Sequence, residues 1–125
     1  MNMPIITLSN GIKVANFSSP HVFNFTDGSV LPACEGARSK GLMLRQTEEE
    51  APHPSGKWVD IKLSFQMSPE VEAALVAAHD SQADIILVPF PVLGAVRADS
   101  RFPRIRVIRS ADRVKKTIHI DRFCV

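Results

Sequence analysis

The sequence predicts an α+β fold: a mostly antiparallel sheet with one or two helices packed on it. Three observations lead there. Val59, Ile61, Leu63 and Phe65 alternate with Asp60, Lys62 and Ser64, the period of a strand with one buried face. Ser68-Pro69-Glu70 places a capping residue, a proline and an early acid at the head of a segment running to about His79. Within it Val71, Ala74, Leu75 and Ala78 recur at helical spacing. Asp84 to Phe90 is a continuous apolar run of strand length, as suits a central strand covered on both sides. The 125 residues fit a single domain, 1–125.

The remaining elements follow in chain order. Gly11 to Phe17 reads as a strand after the turn pair Asn10-Gly11, and His21 to Phe25 continues extended. Asp27-Gly28 is a hairpin signal that returns the chain through Ser29-Val30-Leu31, with Pro32 ending that strand. Residues 35–45 suit a short helix weakened by Gly36 and Gly41, and 48–56 read as a solvated loop. Trp58 to Phe65 is the alternating strand above. After Phe90, Pro91 opens a short helix over Val92 to Ala98, and strands follow at 104–109 and 117–123. Residues 58–65, 84–90, 104–109 and 117–123 are expected in one sheet.

Composition narrows the function. Hydrophobic residues are 45% and charged residues 22%, values of a folded globular chain, and no apolar run is long enough for a membrane-spanning helix. The N-terminus lacks the basic region of a secretion signal. Cys34 and Cys124 are too few for a disulfide framework, so both are expected reduced and the compartment cytoplasmic. Residues 1–96 hold six Lys/Arg against ten Asp/Glu, while 97–125 hold nine against three, a balance of −4 followed by +6. That asymmetry points to an anionic partner at the C-terminal end, or to neutralisation by the acidic part of the same fold or of a second subunit.

Catalytic signatures are missing from the chain. There is no phosphate loop, no His-Glu-x-x-His and no Cys-x-x-Cys, and His21, His53, His79 and His119 lack metal-ligand spacing. No catalytic residue, metal or cofactor is assigned. Arg104, Arg106, Arg109 and Arg113 are the better signal, because a guanidinium offers phosphate a planar fork that never loses its charge. On a strand Arg104 and Arg106 share one face, and Arg109, Ser110 and Arg113 leave the strand end together. The other reading is a charged, solvated edge strand. Phe90, between two prolines at the end of the central strand, offers a ring on which a base could stack; it could equally cap the core. Long nucleic acid fits poorly, since the basic residues are not interleaved with aromatics and no RNA- or DNA-binding signature is present.

Small size, the basic stretch IRVIRSADRVKKTIHIDRF and the missing catalytic machinery together resemble the phage Thoeris anti-defence sponge family, over about Trp58 to Val125. The resemblance implies non-enzymatic sequestration of a cyclic ADP-ribose-type nucleotide by a dimer or higher oligomer, which blocks host anti-phage immunity. It also implies Arg109 and Arg113, four residues apart, on the phosphates and Phe90 on the base. Arg106 completes the candidate binding set. Where that family has an amide side chain ten positions after the aromatic, this chain has Ser100. Two alternatives stand beside it. One is a small nucleotide-acting hydrolase or transferase using Asp112 or His119. The other is a structural or regulatory protein that docks its basic C-terminal strands on an acidic partner.

Overall fold

The computed structural model describes residues 3–34, 44–96 and 99–125. Nine strands and two helices are described: β1 (Ile5–Thr7), β2 (Lys13–Asn16), β3 (Phe23–Phe25), β4 (Val30–Leu31), β5 (Arg45–Pro52), β6 (Val59–Gln66), α1 (Pro69–His79), β7 (Ile85–Leu87), α2 (Phe90–Val96), β8 (Ile105–Asp112) and β9 (Thr117–Cys124). Seven strands form one sheet in the order β1-β2-β7-β8-β9-β3-β4. β4, at one end of that order, returns to touch β1 and β2, so the sheet is nearly closed and barrel-like. The fold is α+β, but the sheet is mixed where an antiparallel one was expected: β2–β7, β7–β8 and β3–β9 pair in parallel.

Local chemistry explains the well-formed elements. Asn10-Gly11 turns β1 into β2 with Gly11 at φ 85°, a conformation that suits glycine. Gly28 does the same at φ 88° between β3 and β4. There Asp27 accepts from the Ser29 N–H at 2.8 Å and from the Ser9 N–H at 2.9 Å, so one carboxylate ties two turns together. Ser68 caps α1 by accepting the Val71 N–H at 3.2 Å, with Pro69 in the first turn and Val71, Leu75 and Ala78 buried. β7 stops at Leu87, short of the expected Phe90, because Pro89 and Pro91 have no N–H for a ladder. Instead the Pro89 carbonyl accepts from Val92 and Leu93 and starts α2 at Phe90, two residues before the expected Val92, while the expected end at Ala98 lies outside the described residues.

Alternation along the strands feeds two cores. Ala15, Phe17, Ile86 and Ile105 pack with Val71, Leu75, Val92, Leu93 and Val96 of the helices. Their strand neighbours Val14 and Leu87 join Leu8, Phe25, Leu31 and Ile118 in a second cluster on the other side of the sheet.

Three further expectations are corrected. The segment 48–56, read as a loop, is largely strand: β5 pairs with β6 from Arg45↔Gln66 to Pro52↔Val59, and His53 to Trp58 makes the turn. β6 therefore belongs to a separate two-stranded ribbon, outside the main sheet. Its apolar residues alternate as read but are not buried; Ile61 is 52% and Leu63 54% exposed. The strand expected at 104–109 runs to Asp112, which keeps Arg109 and Ser110 inside β8. Most of the short helix expected over 35–45 lies outside the described residues, and Arg45 already belongs to β5.

Candidate functional site

β2 and β7 are parallel neighbours, and the chain leaves both at the same end of the sheet. The two loops that follow them, 18–21 and 88–90, border a cleft of about 390 Å³ that Val107 and Ile108 of β8 also line. Ser18, Ser19, His21, Phe23, Pro89 and Phe90 line it, so its walls are mainly apolar with a few hydroxyl and imidazole groups. This is the usual character and size of a small-molecule site, here at the carboxyl ends of two parallel strands.

The 18–21 loop is built to hold its shape. Asn16, fully buried, donates its side-chain amide to the carbonyls of Pro32 at 2.9 Å, Ser19 at 3.2 Å and His21 at 3.2 Å. Its Oδ1 accepts from the Ser19 N–H at 3.1 Å, and the Cys34 N–H reaches the Ser19 carbonyl at 2.8 Å. The His21 N–H donates to the Ser19 Oγ at 3.2 Å. So anchored, Ser18 is kept at φ 65°, a left-handed conformation that costs a non-glycine residue about 1–3 kcal/mol and clusters at functional sites. Nothing in the sequence reading singled out Asn16 or Ser18. The signal available was the run Ser18-Ser19-Pro20 directly after a strand.

The predicted site residues are not gathered in one place. Phe90 opens α2 at the cleft with 66% of its surface exposed, so its ring is free to stack and does not cap the core. Arg109 directly follows Ile108, the last β8 residue in the cleft, at a point where the β8–β9 register slips between Ile108 and Ser110. Such bulges re-aim side chains and are frequent beside binding sites. Arg113 lies in the turn after β8, and four residues of extended chain span up to about 13 Å, so the spacing of four does not bring it back to Arg109. Arg106 lines a different cleft with Asp99, Ser100, Phe102 and Val125, and its guanidinium donates to the carbonyls of Pro103 at 2.8 Å and Ile105 at 2.7 Å. Arg104, the fourth of the cluster, binds the carbonyls of His79, Ser81 and Ala83 just past α1.

Arg101 is already partnered: it bridges Glu72 at 2.7 Å and Asp99 at 2.8 Å. Hydrogen bonds from the Arg101 side chain and N–H hold the Asp99 carboxyl below its usual range. Cys34 is buried and Cys124 half-buried, both as free thiols. Among the described residues, no group of three or more His, Cys, Asp or Glu side chains is placed to hold a metal ion. No helix among them is long and apolar enough to cross a membrane.

Comparison with known proteins adds no constraint: no protein-family model matches the chain, no curated protein matches it, and no solved structure matches the fold.

Proposed function

We propose that the protein binds a small phosphorylated nucleotide in the cleft between the 18–21 and 88–90 loops and holds it without chemistry. The observation that carries this is Phe90, a ring two-thirds exposed at an apolar cleft with an arginine, Arg109, one residue beyond the cleft's β8 wall. The base stacks on Phe90, a contact worth roughly 1–3 kcal/mol by analogy with other base–aromatic pairs. The phosphate takes the forked donors of Arg109, and Ser18, Ser19 and His21 supply hydrogen bonds to the sugar. A cyclic ADP-ribose-type signal is the ligand that the family resemblance favours, and sequestering it would keep a host immune effector inactive. Arg106 and Arg113 are not needed in this arrangement.

One observation favours a second reading. Ser18 combines a strained backbone with a hydroxyl in the same cleft as His21, a start for nucleophilic hydrolysis of the bound nucleotide. Incubating the protein with cyclic ADP-ribose, denaturing the complex by heat and weighing the released small molecule by mass spectrometry separates the two. Intact ligand in an amount matching the protein supports sequestration. Steady accumulation of an opened or cleaved product overturns it in favour of the hydrolase.

A further inference from the structure

We propose that the β5–β6 ribbon is an arm for self-association, and that its occupant is the β8–β9 turn of a second copy of this chain. The arm is its own two-stranded sheet. Two strands alone are marginally stable in water; the Leu63–Phe65 end of β6 borders α2, and the rest of an eight-residue ribbon gains from a further surface to lie against. Its tip is ordered without help: His53 stacks on Trp58 with ring centroids 3.8 Å apart, and Trp58 Nε1 donates to Asp60 at 2.9 Å. Along one face run Val59, Ile61, Leu63 and Phe65, all exposed. Directly across the ladder on that same face stand Glu50, opposite Ile61, and Glu48, opposite Leu63. The face is thus an apolar row flanked by a carboxylate row. Toward α2 it runs into a groove of about 380 Å³ lined by Leu63, Phe65, Pro91, Gly94 and Phe90, the last shared with the nucleotide cleft.

The complementary pattern lies on the same chain. At the end of β8 the turn carries Arg113, Val114, Lys115 and Lys116, and Val114 is 92% exposed, the most exposed large hydrophobic among the described residues. Asp112 fixes this turn by accepting the N–H groups of Val114 at 2.9 Å and Lys115 at 3.1 Å. An apolar knob set among cations fits an apolar row set beside carboxylates, and both partners are ordered before they meet. The contact sets Glu48 and Glu50 of one copy against Arg113, Lys115 and Lys116 of the other. Made reciprocally it closes a two-fold dimer; made head to tail it builds a ring where the rotation closes and a filament where it does not.

The test is light scattering behind a sizing column on the full chain, with circular dichroism to verify folding. The wild type is expected to run at a multiple of the monomer mass. Ile61→Asp and Val114→Asp, both at exposed positions, should each weaken assembly by at least about tenfold, as should the pairs Glu48→Lys/Glu50→Lys and Lys115→Glu/Lys116→Glu. Mixing the two charge-reversed proteins should restore a complex that neither forms alone. A wild type that stays monomeric at every concentration overturns the proposal. So does an oligomer indifferent to folded Val114→Asp and to both charge reversals, which would place the interface elsewhere.

Discussion

The Asn16 side-chain amide donates to the Pro32 carbonyl at 2.9 Å, joining the end of β2 to the residue after β4 across the gap where the sheet nearly closes. Because the same amide also serves Ser19 and His21, Asn16→Ala strands several carbonyls in a buried place. The expected loss is about 2–3 kcal/mol in urea denaturation. Asn16→Asp should cost more at neutral pH, since a carboxylate would face carbonyl oxygens with no donor to offer. A loss within about 0.5 kcal/mol for Asn16→Ala would show that the loop holds itself.

Asp27 gives the fold a pH dependence of known sign. The Ser9 N–H is the largest influence on its pKa; desolvation comes next and opposes it, and the Ser29 N–H adds to the lowering, which brings the pKa from 3.8 to about 2. A carboxyl whose folded pKa is depressed stabilises the fold above its unfolded value and loses that contribution as pH falls through the folded value. Asp27→Asn should therefore be less stable than wild type at pH 7, with the gap narrowing between about pH 4 and pH 2. Paired thermal melts across that range check it; a gap that stays constant would remove Asp27 as its source.

Arg104 belongs to the C-terminal arginine cluster but not to the candidate binding set, and its Nη1 lies 3.2–3.3 Å from the carbonyls of His79, Ser81 and Ala83. A cation there complements the carboxyl end of α1. Arg104→Ala should lower stability by about 1 kcal/mol and leave nucleotide affinity unchanged. Chemical denaturation and a binding titration on the same sample test both halves, and a loss of affinity with unchanged stability would place Arg104 in the site.

How much was legible follows from what each signal encodes. The Ser68 cap, the Asp27-Gly28 turn and the alternation of β9 are local, and each reappears with its expected chemistry. The alternation of β6 reports one apolar face but not whether anything covers it, so a strand of an exposed ribbon read as one of the main sheet. Glu48, Glu49 and Glu50 hid β5, because carboxylates in sequence suggest a loop and only the pairing with Leu63, Lys62 and Ile61 makes them a strand. Parallel pairing of β2 with β7 joins residues some seventy positions apart, which no periodicity reveals. Of the site, Phe90 and Arg109 were visible as residue types. Asn16 was not, since its role depends on where Pro32 arrives.

The binding claim meets its most direct test in calorimetric titration of wild type and Phe90→Ala, each with cyclic ADP-ribose and with inorganic pyrophosphate. Phe90 is largely exposed, so the variant should fold with stability within about 0.5 kcal/mol of wild type. Wild type should bind the nucleotide, and Phe90→Ala should weaken it by roughly five- to a hundredfold while leaving pyrophosphate unchanged. Equal nucleotide affinity in the two proteins, or no nucleotide binding by the wild type, would contradict the assignment of the cleft.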